Sequence, residues 1–254
     1  VVVIVGASSG FGAEVARQYA ARGVRLGLSA RRLEKLAAVA DECKRLGAAD
    51  VVVLQADMRN VSNAEAVVTD AVAAFGRLDV LLLNHAAFED SMLTEYETAE
   101  ALAAKLQFIM EVNVVGTAAA AWAAVPHLAK SKGRLAVTSS GASIAFPPFH
   151  ASYGASKAAA DGIMTGLRTE FGLLGVKASV SSLVLGLIKT DANLNRGDEL
   201  ANSAMPVADC AVEMLCAIDS GLPVAFVPQF LSPYATLLHH VPSLVGPVLK
   251  AMYI

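Results

Sequence analysis

Charge is scarce in this sequence. Asp, Glu, Lys and Arg make up only 17% of its 254 residues, against a hydrophobic fraction of 55% and a net charge of −3. No basic block occurs, so nucleic acid is excluded as an expected partner. Cysteine is scarcer still. Cys43, Cys210 and Cys216 are odd in number and lack a C-x-x-C spacing, which excludes a disulfide framework and a thiolate zinc site; no metal is expected. Plain packing is their expected role, and they leave the redox compartment open. No apolar run of 18 or more residues reads as a spanning helix. Internal repeats and low-complexity linkers are also missing, which leaves a single domain. Val1 already lies inside the first expected strand, so a truncated chain is expected, and a signal or anchor segment ahead of it stays open. The apolar excess calls for a deep core, an oligomer interface or a membrane contact.

What the chain does have is alternation. Short β-branched or apolar runs at residues 1–5, 24–29, 51–54, 78–83, 133–139, 176–185 and 224–227 read as buried strands. Helical patterns lie between them, at residues 13–22, 33–46, 62–75, 107–124, 155–171 and 207–218, with Ser62 as the expected N-cap of the third. Strands alternating with helices predict an α/β fold, a Rossmann-type doubly wound parallel sheet.

The first strand runs directly into Gly6-Ala7-Ser8-Ser9-Gly10-Phe11-Gly12 and then a helix. Glycines there let the backbone turn sharply and approach a pyrophosphate, while the helix N-terminus offers free N–H groups to the phosphates. About 20 residues on, an NAD site carries an acidic residue for the ribose 2′-hydroxyl. This chain has Arg31 and Arg32 instead. Guanidinium suits a 2′-phosphate, so NADP(H) is the expected cofactor, unless Arg32 is simply a solvated helix start.

The densest chemistry lies in SSGASIAFPPFHASYGASK, residues 139–157. Ser140 hangs off the end of a strand, at the edge where parallel sheets bind ligands. Tyr153 and Lys157 stand four residues apart, on one helix face. An ammonium roughly 4 Å from the phenol, at an effective dielectric of about 20, would favour phenolate by about 4 kcal/mol. That lowers the tyrosine by about three pH units before desolvation opposes it. Such a phenol exchanges a proton with a carbonyl or alcohol oxygen that Ser140 holds. Pro147 and Pro148 break any helix ahead of Tyr153 and leave Ile144, Phe146 and Phe149 near the site, as a lining for a bulky lipophilic substrate or as loop residues folded into the core.

Ser140, Tyr153 and Lys157, with Asn113 upstream and the Gly-x-x-x-Gly-x-Gly turn, resemble the catalytic set of the short-chain dehydrogenase/reductase family. Leu-Asn-His at 83–85, Tyr-Gly-Ala-Ser-Lys at 153–157 and Leu-Gly-Leu-Ile at 185–188 are similar to the 11β-hydroxysteroid dehydrogenases within it. The resemblance implies that Asn113 distorts its helix and supports a proton relay through Lys157. It implies that Asp57-Met58 meets the adenine, that Asn84, His85 and Ala86 crowd the cofactor, that Leu187, Ile188 and Thr190 reach the nicotinamide end, and that Tyr153 and Lys157 also contact the cofactor, Lys157 holding the ribose. Leu187 also joins Ser140, Tyr153, Ile144 and Phe149 as a substrate contact. Three positions depart from the family: Val5 replaces a common Thr, His85 a small residue, and Leu185 a common Pro. His85 reads as a packed ring more than a catalyst.

The implied function is interconversion of a ketone and a secondary alcohol on a steroid. Reduction of other lipophilic or xenobiotic ketones, or a catalytically silent NADP-binding scaffold, are the alternatives. Residues 191–206 lack periodicity and read as a substrate lid. Residues 230–254 are apolar, with Lys250 the one formal charge and three prolines, and read as an oligomer interface or a monotopic membrane contact. The resemblance implies a homodimer at the endoplasmic reticulum membrane, with a cytoplasmic location as the alternative.

Overall fold

The computed structural model describes residues 1–88, 91–190 and 204–233. Its strands are β1 (Val2–Val5), β2 (Arg25–Ala30), β3 (Asp50–Gln55), β4 (Val80–Leu83), β5 (Arg134–Ser140), β6 (Ser179–Leu185), the two-residue pieces β7 (Ile188–Lys189) and β8 (Met205–Pro206), and β9 (Val224–Val227). Seven of them form one parallel sheet in the order β3-β2-β1-β4-β5-β6-β9, while β7 pairs with β8. The chain builds outward from β1 in one direction, returns, and builds outward from β4 in the other. That reversal leaves a crevice beyond the C-terminal ends of β1 and β4.

The helices are α1 (Gly10–Ala20), α2 (Leu33–Arg45), α3 (Val61–Phe75), α4 (Ala99–Met110), α5 (Gly116–Ser131), α6 (Ala142–Ala145), α7 (Ala151–Leu174) and α8 (Val207–Ser220). Both sheet faces are covered, so the strands need apolar residues at every position. On β1, Val2 and Ile4 pack with Val15 of α1, Leu36 of α2 and Met214 of α8. Val3 and Val5, pointing the other way, join Val68 of α3, Ala120 of α5 and Met164 of α7. Arg17 bridges α1 to Glu42 of α2 at 2.7 Å, and Arg22, in the turn after α1, pairs with Asp219 of α8 at 2.7 Å.

Three local expectations change. The N-cap of α3 is Asn60 and not Ser62: Asn60 has the extended backbone a cap needs, and its Oδ1 accepts from the Asn63 N–H at 3.2 Å. Helix α7 begins at Ala151, four residues earlier than expected, which places Tyr153 within its first turn. The expected helix over 107–124 is one part of a longer rod in which α4 continues through a π-turn at Glu111–Val115 into α5. That continuity yields a 33-residue helix, Ala99–Ser131, with a mean hydropathy of 1.5 in its most apolar window. By length and composition it is long enough to cross a membrane, and half of the window is buried inside the protein.

Close approach decides where glycine matters on this scaffold. A Cβ on Gly116 would lie 2.1 Å from the Met58 carbonyl oxygen, whereas one on Gly162 would meet nothing within 4 Å. Gly116→Ala is expected to destabilise the fold by about 1–3 kcal/mol, and Gly162→Ala to stabilise it by about 0.5–1 kcal/mol. Urea unfolding of the two variants beside the parent checks both signs.

Candidate active site

A cleft of about 530 Å³ opens at the C-terminal edge where β1 and β4 diverge. Its floor is the glycine turn. Gly6 has φ +86°, and a Cβ there would lie 2.7 Å from the His85 nitrogen. A Cβ on Gly12 would lie 2.3 Å from the Gly6 carbonyl oxygen, so side chains at either position would close the turn. Ser8, Ser9, Gly10 and Phe11 line the same cleft, as do Met58 and Thr190. Ser9 caps α1 without using its side chain, and the first turn of α1 holds no acidic residue. The N–H groups at this helix start therefore remain directed to an anion.

Cations gather at the cleft's other end. Arg32 donates to the Ser9 hydroxyl at 2.8 Å and the Ser8 hydroxyl at 3.1 Å, folding over the glycine turn. Arg31 lines the cleft beside it. So does Lys35, which the sequence reading missed; its spacing of three from Arg32 on a helix start was the available signal. Asp57 also faces the cleft, but its carboxylate is engaged by Arg59 at 2.6 and 3.0 Å, and that pairing holds it below the usual carboxylate range. A close-packed glycine cradle, a helix start with no side-chain cap and three cations together fit a nicotinamide dinucleotide. Among the described residues no cluster of three His, Cys, Asp or Glu could hold a metal ion.

The end of β4 forms the inner wall, through Asn84, His85 and Ala86, whereas Ser140, Tyr153 and Lys157 lie outside the cleft lining. Asn84 donates from Nδ2 to the Gly6 carbonyl at 3.3 Å, tying the β4 end to the glycine turn. His85 sets its Nε2 3.0 Å from the Val112 carbonyl and 3.2 Å from the Thr117 hydroxyl. A carbonyl accepts only, so Nε2 carries the proton and Nδ1, buried without a partner, is a bare acceptor. Burial, and then the charge of Lys157, push this imidazole down to about 3. It is neutral at all ordinary pH.

Ser140 is the last residue of β5, and its Oγ accepts from the Ala142 N–H at 3.1 Å. Lys157 is 3% exposed, donates from Nζ to the Thr138 carbonyl at 2.7 Å, and lies 5.8 Å from the centroid of the Tyr153 ring. The tyrosine itself corrects an expectation. Its pKa is pushed up to about 12, by burial first, although a hydrogen bond with Ser140 lowers it. The ammonium sits over the ring and is spent on a backbone carbonyl, so loss of water around the phenol wins. Burial also drives Lys157 down to about 8.

Asn113 lies in the π-turn, almost wholly buried. Its side chain brackets Ala87, accepting from that N–H at 2.6 Å and donating to that carbonyl at 2.8 Å, and also donates to the Ser156 hydroxyl at 2.9 Å. Those bonds fasten the loop after β4 to α7 beside Tyr153. This loop contributes Phe88, unforeseen in the sequence, whose ring meets Tyr153 edge-on at 4.9 Å and His150 at 4.9 Å. Ile144 lies on α6, and Phe149 precedes α7 with a left-handed φ of +67°. Ile188 opens β7 and Leu187 precedes it, both outside the cleft lining, with Ile188 fully buried and Leu187 exposed. The expected lid at 191–206 lies outside the described residues except for its end, where Met205 joins β8. The apolar segment 230–254 is described only to residue 233.

A family model described as short chain dehydrogenase matches residues 1–201. The chain belongs to the short-chain dehydrogenase/reductase family. Among its relatives, a hydroxysteroid 11-beta-dehydrogenase 1-like protein of Xenopus tropicalis is 35% identical over 233 residues, covering 91% of this chain and 80% of that protein. An 11-beta-hydroxysteroid dehydrogenase-like 2 of Arabidopsis thaliana is 30% identical over 263 residues, covering 100% and 82%. In fold the chain is similar to a short-chain dehydrogenase/reductase of Burkholderia phymatum in complex with NAD, at a TM-score of 0.83 and 23% identity over 96% of this chain and 94% of that one. A short-chain dehydrogenase of Burkholderia cenocepacia in complex with NADP aligns at a TM-score of 0.76 and 26% identity, over 85% and 89%. A nicotinamide cofactor is common to these short-chain dehydrogenase/reductase neighbours.

The neutral His85 gives a pH signature. Its folded pKa lies below the unfolded value of about 6.5, so its contribution to stability is full above that pH and declines as pH falls towards 3. His85→Gln removes this proton uptake. The variant's melting temperature should fall less steeply than the parent's between pH 6.5 and 4, as followed by circular dichroism.

Proposed function

We propose that this short-chain dehydrogenase/reductase uses NADP(H) to interconvert a secondary alcohol and a ketone on a lipophilic substrate, a hydroxysteroid or ketosteroid before others. The observation that carries the proposal is a protonated phenol, Tyr153, hydrogen-bonded to Ser140 and backed by a buried ammonium, beside a cleft that fits a dinucleotide. When bound, the nicotinamide supplies or accepts the hydride. Tyr153 keeps its proton through neutral pH, the form needed to protonate a ketone oxygen. Ser140 shares that oxygen and orients it. Lys157 favours the phenolate left behind. Asn113 holds the loop and helix that carry these groups.

Arg31, Arg32 and Lys35 support NADP(H) over NAD(H), because three cations around an adenosine site match a 2′-phosphate. The relatives' names support the steroid, and so does an exposed apolar rim of Phe88, Phe146 and Leu187 on the segments flanking the site. A homodimer belongs to the proposal as well. It is supported by a groove of about 740 Å³ between α5 and α7, where Trp122 is 69% exposed and Leu174 76%. So does contact with an endoplasmic reticulum membrane surface, supported by Phe230, 69% exposed where the apolar C-terminal segment begins.

Tyr153→Phe is expected to lower kcat by about 10²–10⁴-fold while NADPH affinity, read by calorimetry, stays within about twofold of the parent. Parent turnover is measured on an 11-ketosteroid beside a panel of other ketones. Turnover only on the others retires the steroid, and tight NADPH binding without turnover moves the chain to a binding role. Replacing Arg31 and Arg32 together by Ala should weaken NADPH about tenfold or more relative to NADH. An unchanged NADPH:NADH ratio of dissociation constants overturns the 2′-phosphate assignment.

A further inference from the structure

Helix α7 carries a third polar group in register with Tyr153 and Lys157. Residues 153, 157 and 161 succeed one another at intervals of four, so their side chains share one face, with roughly 6 Å between successive Cβ atoms. The third is Asp161, which the proposed reaction does not use. Its Oδ2 accepts a short hydrogen bond from the Ser139 hydroxyl, on the residue just before Ser140 at the end of β5. The Ser143 hydroxyl lies 3.3 Å from that of Ser139 and donates to the Ser140 carbonyl at 2.7 Å. Asp161 Oδ1 is buried with no partner. A carboxylate drawn out of water with one oxygen unsatisfied is costly unless a nearby cation offsets it, and the cation one turn back is Lys157.

Most of the other groups around the pair carry no charge. Thr138, Ser139 and Ser140 of β5, Asn113 of the π-turn and Ser156 of α7 are uncharged. His85, behind the end of β4, is neutral, and His150 at the start of α7 packs on Phe88. Arg168, further along α7, is a second cation within the Asp161 field, and its guanidinium donates to the Val180 carbonyl at 2.9 Å and the Pro223 carbonyl at 2.7 Å. Among the described residues, Asp161 is the carboxylate whose field reaches both Tyr153 and Lys157.

We propose that Asp161 is a positioning residue for the Tyr153–Lys157 pair: clamped by Ser139, its carboxylate keeps the buried ammonium protonated and the phenol loaded with its proton. The role in turnover rests on the oxidoreductase reading; the electrostatic coupling does not. The negative charge favours the protonated form of both groups, so removing it moves both titrations to lower pH. The Ser139 bond gives the coupling its geometry, because it ties the carboxylate to the strand end that presents Ser140. The same clamp sets how far the carboxylate stands from the ammonium.

The experiment compares the parent with Asp161→Asn and Asp161→Glu. The pH profile of alcohol oxidation, which requires a deprotonated base, should shift its acid limb down by about one pH unit in Asp161→Asn and return towards the parent in Asp161→Glu. Lys157 is followed independently of turnover by NMR of protein labelled at the lysine ε-carbon, its signal assigned by loss in Lys157→Arg. The parent resonance should titrate near 8 and move down in Asp161→Asn. A shifted titration in a protein that turns over no alcohol would retire the oxidoreductase reading and retain the coupling. A Lys157 titration and a rate profile both unmoved in folded Asp161→Asn overturn the proposal. If Asp161→Asn does not fold, Ser139→Ala, which frees the carboxylate to swing away, is read in the same titration: a downward shift supports the coupling, and no shift overturns it.

Discussion

The bond from the Lys157 ammonium to the Thr138 carbonyl organises this molecule. A lysine only 3% exposed loses nearly all its hydration, a cost of several kcal/mol before any partner is counted. Donation to a carbonyl of β5 at 2.7 Å offsets part of it and pins α7 against the strand. Once α7 is pinned there, Tyr153, one turn earlier, faces Ser140 at the strand end. The same burial that makes the bond necessary lowers the ammonium's pKa and raises the phenol's. Placement and proton affinity thus come from one packing decision.

The reversal of strand order between β1 and β4 decides the rest. It brings Gly6 against His85, 79 residues away in the chain, and lets Asn84 close the glycine turn from the opposite side. One half of the sheet contributes the glycine turn, the start of α1 and the cations beside them. The other half contributes the phenol, the hydroxyl and the ammonium. Neither half holds a complete site, and the parallel sheet sets both at its C-terminal edge.

Much of this was legible in the residues. Apolar runs separated by helical patterns marked all seven strands of the main sheet within a few residues, because strands buried on both faces leave little choice of side chain. The glycine spacing and the four-residue interval from Tyr153 to Lys157 were legible for the same kind of reason: a tight turn and a shared helix face are local geometry. Boundaries were read less well. The cap of α3 moved from Ser62 to Asn60 since either side chain can cap, and backbone dihedrals chose between them. The rod through α4 and α5 was read short at both ends, at 107 in place of Ala99 and at 124 in place of Ser131, although its passage through Asn113 was legible.

Fold class, the order of strands and helices along the chain, the glycine turn and the spacing of Ser140, Tyr153 and Lys157 were thus determined by sequence alone, the last two each within a window of some 20 residues or fewer. The protonation of Tyr153, the contact of Phe88 with its ring, the addition of Lys35 to the cation cluster and the clamp of Ser139 on Asp161 were decided only by tertiary structure. The physical reason is that desolvation and Coulomb energy depend on distance in space. The groups that exclude water from the Tyr153 phenol come from segments after β4, at the end of β5 and along α7, and only the folded sheet brings them together.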